Sequence, residues 1–208
     1  MIEFVTASHD REVLQKNLLS SPVIEKYGVV VQENYTNVSK AYNEARITEE
    51  IVAYIHHDVL LPRSFEWQLK LSLKWIDKLD RDWAVLGVAG VKLKDGKRTI
   101  HGNILDRGRE WGSQLEIPTE VDTLDELLLI TKGDFKFDEQ LDLHFYGADI
   151  CMQARAQGRK NYAIQAFCHH NSTLAIGHRS ESFKRCGQYF REKWINQLPI
   201  ATTCIILS

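Results

Sequence analysis

Short apolar strands alternate with amphipathic helices through the first half of the sequence, and this order constrains the fold more than any other feature. Apolar or β-branched runs predict strands at 2–7, 28–33, 50–56 and 84–92. Segments with helical spacing separate these runs, at 11–21, 36–47 and 64–79. Strands and helices that alternate at this spacing build right-handed βαβ units. We therefore predict an α/β fold with a central mixed, mostly parallel sheet flanked by helices.

The second half is less regular, but its elements can still be recognised. The segment 99–112 is rich in glycine and charge, and we interpret it as a hairpin or a mobile loop. Strands are predicted within 124–133 and 161–172, and helices over 148–158 and 181–194. The apolar tail, 196–208, is compatible with a final strand or with a disordered end. The 208 residues fit one domain.

Composition excludes several classes of function. The formal net charge of −2 gives no basic surface for nucleic acid. No apolar run reaches the ~20 residues that a membrane span needs, and the start, MIEFVTASHD, lacks the pattern of a signal peptide. The spacing of the four cysteines fits neither a zinc ribbon nor a disulfide framework. We expect reduced thiols in a cytoplasmic protein.

Two predicted strands end in histidine pairs, and one pair is followed by an acid. AYIHHDVLLP contains His56, His57 and Asp58, and FCHHNS contains His169 and His170. Ligands of open α/β sheets bind beyond the carboxyl ends of the strands. An aspartate oxygen with imidazole nitrogens suits Mn²⁺ or a similar cation, whereas the alternative is a pair of solvated strand ends.

Alternation along a strand predicts which of these side chains share a face. We expect Asp58 and His170 to approach one point, with His56 on the same side as Asp58 and His57 on the opposite side. His169 is the alternative to His170 as a ligand. In HFYGADI, Asp149 starts a predicted helix, where it either caps the helix or serves as a general base.

The order of elements and four motifs together resemble family 2 glycosyltransferases with the GT-A fold, over residues 2–195. FVTASHDREVLQKNLLSS resembles the first strand, nucleotide loop and helix of that family. NVSKAYNEARITEEIVAYIHHDV resembles the stretch that ends in its DxD motif. FKFDEQLDLHFYGADICMQARAQGRK resembles the acceptor loop and acidic-pair helix, and CHHNS the late histidine of the metal shell.

The chain departs from the family pattern at three positions. His56 replaces the first acid of DxD, Ala148 replaces the first acid of the acidic pair, and Glu33 matches the strand-two acid only loosely. These changes resemble a variant subgroup of small bacterial glycosyltransferase-like proteins with an HHD motif. The resemblance implies one domain, 1–208, with a nucleotide-binding half at about 1–95, an acceptor half at about 96–195 and a tail at 196–208.

The resemblance also implies a reaction and a role for each site residue. The donor would be a nucleotide-diphospho-sugar, the acceptor is unknown, and the anomeric carbon would be inverted. Mn²⁺ or Mg²⁺ would be held by Asp58, His170 and His56, with Asp149 as the general base. The nucleotide would contact Ala7, Ser8, Glu33 and Asn43, and the acceptor His144 and Tyr146. Gly102, Gly108 and Gly112 would let a loop close over the donor, or simply form turns.

Two other functions remain compatible with the sequence. The altered motifs suit a GT-A-like module that binds a nucleotide sugar or a partner without turnover. The His/Asp cluster also suits a metal-dependent hydrolase, for example of phosphoesters, although a second dense acidic cluster is not evident in the sequence.

Overall fold

The computed structural model describes residues 2–113, 115–133, 135–172 and 180–208. The helices are α1 Arg11–Lys16, α2 Pro22–Tyr27, α3 Val38–Asn43, α4 Phe65–Leu79, α5 Tyr146–Ala156 and α6 Glu181–Lys193. The strands of the first half are β1 Ile2–Ser8, β2 Val30–Glu33, β3 Ile51–Ile55, β4 Val59–Leu60, β5 Val85–Gly87, β6 Ala89–Lys94 and β7 Lys97–Gly102. The remaining strands are β8 Ile104–Asp106, β9 Arg109–Trp111, β10 Thr119–Val121, β11 Thr123–Leu124, β12 Leu128–Lys132, β13 Asn161–Ala163, β14 Cys168–His170, β15 Ile200–Ala201 and β16 Ile206–Leu207.

A central mixed sheet runs through the molecule. Within the described residues it has seven strands in the order β10-β13-β5-β12-β3-β1-β2. The pairs β1–β2, β1–β3 and β5–β13 are parallel, and the other three pairs are antiparallel. The α/β fold with a mixed sheet flanked by helices is thus confirmed. Parallel pairing covers half of the sheet rather than most of it, because β12 inserts antiparallel between β3 and β5.

A smaller sheet lies beyond the carboxyl end of β3. Its order among the described residues is β4-β14-β8-β9. His170 pairs with Val59 on one side and with Asp106 on the other. The 99–112 segment is therefore a hairpin rather than a free loop, turning at Arg107 and Gly108. This sheet brings chain segments that are far apart in sequence to one place.

The glycines of this hairpin region permit turns and close backbone approach. A Cβ atom added at Gly112 would lie 2.2 Å from the carbonyl oxygen of Gly102, and one added at Gly102 would lie 2.2 Å from that of Val88. Gly108 occupies open space in the turn, with φ of +78°. These contacts favour the interpretation of the three glycines as turn and packing residues.

Two predicted strands are each divided between two sheets. The 84–92 run breaks at Val88, so that β5 joins the central sheet and β6 joins a three-stranded sheet. The 161–172 run divides into β13 and β14 in the same way. Gly87 ends β5 at the first break, whereas no glycine or proline lies between Ala163 and Cys168 at the second. The pairing partner, rather than local propensity, decides where each strand ends.

Two helix predictions are corrected at their boundaries. The 11–21 helix ends at Lys16, and a separate helix begins with Pro22 at its first position, where a proline is well tolerated. In the predicted 36–47 segment the helix covers only Val38–Asn43, and Asn37 is its N-cap, because the Asn37 side chain accepts the amide of Lys40 at 2.9 Å. The apolar tail forms the two-stranded hairpin β15–β16.

Helices cover both faces of the central sheet. One face receives α4, which buries Phe65, Leu69 and Ile76, with Leu73 only partly buried. The other face receives α5, whose residues from Tyr146 to Met152 are all buried. None of the helices in the described ranges is both long enough and apolar enough to span a membrane.

Candidate metal centre

Three ligand-type side chains converge just beyond the carboxyl end of β3. One ligand atom from each of His56, Asp58 and His170 lies within 4.8 Å of the other two. Oδ1 of Asp58 is 3.5 Å from Nε2 of His170 and 4.0 Å from Nδ1 of His56. The predicted approach of Asp58 and His170 is therefore observed. We call these three residues the triad.

The structure shows which member of each histidine pair joins the triad. His57 faces away from it, and its Nδ1 lies 2.8 Å from Oγ of Ser8. His169 packs its ring against Phe167, with the centroids 5.0 Å apart. One member of each histidine pair thus faces the triad, and the other member packs elsewhere, as predicted. Strand alternation accounts for His169 and His170 on β14, whereas residues 56–58 form a turn between β3 and β4.

The second nitrogen of each triad imidazole also has a neighbour. Nε2 of His56 lies 2.7 Å from the hydroxyl oxygen of Tyr146. Nδ1 of His170 lies 3.0 Å from Oδ1 of Asp106, its register partner on β8. Histidines that bind metals commonly have such a partner on the second nitrogen, which fixes the tautomer and the ring orientation. Both imidazoles are therefore oriented with one nitrogen towards Asp58.

The electrostatics of the triad fit a cation. Oδ1 of Asp58 is buried and lacks a hydrogen-bond partner in the described part of the chain. Burial alone would raise the pKa of Asp58, but His170 and His56 lower it to about 2. Burial, reinforced by His170, lowers the pKa of His56 to about 4. An ionised carboxylate beside a neutral imidazole is the protonation state that a divalent cation requires.

His170 differs from His56 in its protonation. Burial lowers its pKa, but the carboxylates of Asp58, Asp125 and Asp106 together outweigh burial, so the net shift is upward. A bound cation would take the place of that proton. Two nitrogens and one carboxylate oxygen are a donor set suited to Mn²⁺ and similar ions.

Asp149 does not occupy the position predicted for a general base. Its side chain is 0% exposed and lies 2.8 Å from Nζ of Lys193. It also accepts hydrogen bonds from Nε1 of Trp194 at 2.7 Å and from Nε2 of Gln153 at 2.8 Å. An acceptor hydroxyl cannot reach a carboxylate so enclosed, so we revise this prediction. Asp149 connects α5 to the end of α6.

Two further predicted contacts are revised for the same kind of reason. Asn43 donates to the carbonyl of Phe137 at 2.9 Å and accepts its amide at 2.9 Å, so its side chain fixes the loop after residue 135. Tyr146 is 1% exposed and directs its hydroxyl at His56. Tyr146 therefore orients a triad residue and does not contact an acceptor.

The remaining predicted nucleotide contacts lie side by side. Ala7 and Ser8 end β1, and Ser8 pairs in register with Glu33 at the end of β2. Oγ of Ser8 donates to the carbonyl of Asp10 and contacts His57, which connects the β1 end to the segment of the triad. Glu33 is at the edge, 3.4 Å from Arg11. These residues lie together at the carboxyl ends of β1 and β2.

A pair of acids that sequence reasoning missed lies next to the triad. The amide of His56 donates to the carbonyl of Leu127 at 3.0 Å, so Asp125 and Glu126 lie just before β12, beside the end of β3. Glu126 lines a small cavity together with His144 and Thr203. Burial and the neighbouring Asp125 raise the pKa of Glu126 to about 8. In the sequence both acids stand inside the apolar run LDELLLI, which suggested only a strand.

The cavity also gives the position of the remaining predicted acceptor residue. His144 packs its ring against Phe183, with the centroids 5.3 Å apart, and is partly buried. It shares the cavity wall with Glu126, so the structure brings these two side chains together.

The fold has counterparts among solved structures. S. aureus TarS 1–349 in complex with UDP-GlcNAc matches with a TM-score of 0.59 and 16% identity, over 94% of this chain and 66% of that one. A longer S. aureus TarS chain matches with a TM-score of 0.54 and 14% identity, over 94% of this chain and 40% of that one. The chain has a GT-A-like fold.

Comparison of the sequence with known proteins does not assign the chain to a family. No protein-family model matches the chain. A relative from Fuscovulum blasticum, described as "ATP synthase subunits region ORF 6", is 29% identical over 155 residues. That match covers 71% of this chain and 61% of the relative, so the chain spans less than two thirds of the relative's length.

Proposed function

We propose that this protein transfers a sugar from a nucleotide-diphospho-sugar to an acceptor hydroxyl, with the help of a divalent cation. The observation that carries the proposal is the triad, with its unpartnered Asp58 oxygen, at the carboxyl end of a central strand in a GT-A-like fold. TarS, which shares the fold, was crystallised with UDP-GlcNAc, and this supports a nucleotide sugar as the donor.

The chain supplies both the ligands of the cation and their orientation. Asp58, His56 and His170 would hold Mn²⁺ or Mg²⁺, while Tyr146 and Asp106 orient the two imidazoles. When bound there, such a cation would supply positive charge to offset the negative charge that gathers on a diphosphate leaving group. Ala7, Ser8 and Glu33 would contact the nucleotide along the ends of β1 and β2.

We assign the proton acceptor to Glu126 in place of Asp149. Glu126 is partly exposed, borders the cavity that also contains His144, and has a pKa of about 8. A general base works best when its pKa lies near the working pH. Its carboxylate takes the hydroxyl proton while the hydroxyl oxygen attacks the anomeric carbon. The bond from that carbon to the diphosphate oxygen breaks, and the configuration is inverted.

One observation favours a second candidate function. The acidic pair of the family is reduced here to Ala148 and the enclosed Asp149. A module that binds a nucleotide sugar without transferring it would not need these acids.

The structure adds no support for the hydrolase hypothesis, because the described residues contain a single group of metal-ligating type. We assign either candidate to the cytoplasm, where the four free cysteines stay reduced.

Calorimetry with UDP, GDP, CDP, ADP and UDP-GlcNAc, each with and without Mn²⁺, tests the proposal. We expect one nucleotide class to bind only when Mn²⁺ is present. Asp58→Asn should abolish this binding, while Glu110→Gln on the exposed side of the β8–β9 hairpin should retain it. Nucleotide binding that ignores both Mn²⁺ and the Asp58→Asn change would contradict the proposal.

Turnover then separates the two candidates. With the nucleotide sugar that binds, Glu126→Gln should keep donor affinity and lose transfer by about 10²–10⁴-fold, the usual value of a general base. Unchanged transfer in Glu126→Gln would remove Glu126 from the mechanism. Binding by the wild type without any transfer or hydrolysis would leave the binding module as the function.

A further inference from the structure

Nitrogen is the majority ligand atom of the triad. His56 and His170 each contribute an imidazole nitrogen, and Asp58 contributes the one carboxylate of the three. The two ring centroids are 6.0 Å apart, and the ring planes are inclined at 55°. All three side chains are partly exposed, so a hydrated ion can reach them from solvent. A cation that enters the triad therefore meets two nitrogens and one oxygen.

Neither imidazole ring is free to turn its nitrogen away from the triad. Nε2 of His56 lies 2.7 Å from the hydroxyl of Tyr146, whose own ring is buried and packs edge-on against Phe137. Nδ1 of His170 lies 3.0 Å from Asp106, and its backbone is paired on both sides within the small sheet. Rotation of either ring would break its contact. The two nitrogens are therefore fixed features of the site.

Charged groups around the triad attract every dication in the same way. Asp106 lies beside the triad and pairs with Arg107 at 3.3 Å. Asp125 accepts the amide of Leu127, whose carbonyl in turn accepts the amide of His56. Electrostatic attraction depends on charge and distance and not on the identity of the ion. The atoms that contact the ion, rather than the surrounding charges, therefore decide which dication binds.

Nitrogen ligands separate the first-row transition metals from Mg²⁺ and Ca²⁺. The latter two are hard cations that prefer oxygen ligands, and Mg²⁺ gives up its water reluctantly. Imidazole suits the transition metals, whose affinity for such a site rises from Mn²⁺ to Co²⁺ and beyond. A carboxylate in place of His56 would offer an oxygen that Mg²⁺ accepts. The histidine offers a nitrogen, which favours the other class of ion.

We propose that the triad selects a first-row transition-metal dication over Mg²⁺ and Ca²⁺, and that His56 is the residue that sets this selectivity. Co²⁺ and Zn²⁺ bind more tightly than Mn²⁺, and Mg²⁺ and Ca²⁺ bind least tightly. The inference rests on the proposed function only for the position of the cation. It narrows the choice between Mn²⁺ and Mg²⁺ to the transition metal, and it does not depend on the nucleotide.

Calorimetric titration of the full chain with Mg²⁺, Ca²⁺, Mn²⁺, Co²⁺ and Zn²⁺, each without nucleotide, tests the selectivity. We expect the Kd for Co²⁺ to be lower than the Kd for Mg²⁺ by about tenfold or more. His169→Gln is the matched control, because it removes the imidazole next to His170 that packs against Phe167 instead of facing the triad. This variant should keep the affinities of the wild type, which excludes binding by a neighbouring histidine.

Two substitutions of His56 test its role. His56→Asp exchanges a nitrogen for an oxygen and adds a charge that strengthens the binding of every dication, so the ratio of the Co²⁺ and Mg²⁺ affinities is the measure. We expect this ratio to fall by about tenfold or more. His56→Asn offers an oxygen without the charge and should lower the ratio as well. Electron paramagnetic resonance of bound Cu²⁺ should show two coupled imidazole nitrogens in the wild type and one in each variant.

The outcomes separate this inference from the proposed function. Equal wild-type affinities for Co²⁺ and Mg²⁺ would overturn the inference and leave the proposed function standing with either ion. An unchanged ratio in both His56 variants, with melting temperatures that show folded proteins, would remove His56 as the determinant. Binding of Mn²⁺ only together with a nucleotide would overturn the inference and support the proposed function. Transition-metal selectivity in a protein that binds no nucleotide would support the inference and contradict the proposed function.

Discussion

His170 has an acidic group next to each of its ring nitrogens. Asp58 lies 3.5 Å from Nε2 and Asp106 lies 3.0 Å from Nδ1. A carboxylate on the far nitrogen keeps the proton there and leaves the near nitrogen with a free electron pair. We therefore expect Asp106 to influence whether His170 can serve as a ligand, although it is not itself a member of the triad.

We expect Asp106→Asn to weaken Mn²⁺ binding by about 10–100-fold, because an amide favours the neutral tautomer with the proton on Nδ1 less strongly than a carboxylate does. Titration of the protein with Mn²⁺ alone measures the effect without any substrate. Glu110→Gln, on the next strand of the same hairpin, removes a charge of the same sign from an exposed position and should leave the affinity unchanged. Equal affinities in all three proteins would show that Asp106 does not act on His170.

Sequence reasoning found the triad because each member stands at a strand end, where α/β sheets bind ligands. It missed Asp106 because the pairing of β8 with β14 joins segments far apart in sequence. It misjudged Asp149, since a position in the first turn of a helix does not reveal that Lys193 and Trp194 cover the carboxylate.

At the scale of elements, an ion pair between Asp149 and Lys193 connects α5 to α6. Asp149 on α5 is fully buried, whereas Lys193 at the end of α6 is 27% exposed. Both oxygens of Asp149 also accept neutral donors. The position of α6 therefore depends on a charge in α5.

We expect Lys193→Met to lower the free energy of unfolding by about 3 kcal/mol, because it leaves the Asp149 carboxylate buried without its cation. Asp149→Asn/Lys193→Met should recover most of that loss, since no unpaired charge remains. Urea denaturation of the wild type, both single variants and the double variant completes the cycle. Additive losses in the double variant would show that the two side chains are not coupled.

The two long helices α4 and α6 were easier to predict from sequence than the strands that divide between sheets. The amphipathic period located α4 and α6 to within one residue of their observed ends. The strands β5, β6, β13 and β14 were merged in pairs, because an apolar run does not show that its two halves enter different sheets. Helix α5 begins earlier than predicted, after Phe145 adopts a left-handed conformation at φ of +66°.

At the scale of the whole molecule, Glu126 makes stability depend on pH. Burial and Asp125 raise its pKa from an ordinary 4.5 to about 8, so the folded state holds this proton more tightly than the unfolded chain does. The resulting stabilisation is complete below the unfolded pKa and is lost as the pH rises through the folded pKa.

We therefore expect the wild type to lose stability relative to Glu126→Gln between about pH 5 and about pH 9, since the amide does not titrate. Chemical denaturation of both proteins across this range measures the difference at each pH, which cancels the contributions of all other groups. Glu110→Gln, whose side chain is exposed, should follow the wild type at every pH. Parallel curves for the wild type and Glu126→Gln would show that Glu126 titrates normally.

The fold as a whole was predictable because it depends on the order of strands and helices and much less on the identity of individual residues. Strand–helix alternation and weakly matching motifs indicated a GT-A-like domain, and solved structures confirm that fold at 14–16% identity. The exposed apolar row of α4 was not predicted, because the amphipathic period identifies the buried side, with Phe65, Leu69 and Ile76, but does not show how far Trp67 and Trp75 are exposed.

The wide separation of the triad along the chain has a consequence for biosynthesis. A ribosome delivers His56 and Asp58 early, but Asp106 follows later and His170 emerges only when most of the chain has been made. At a synthesis rate of about 5–20 residues per second, the nascent chain spends several seconds with an incomplete set of ligands. Because β14 must pair with β4 and β8 before the ligands converge, a partly made chain offers cellular cations no more than a weak two-residue contact. Metal loading would thus be confined to chains that have finished folding.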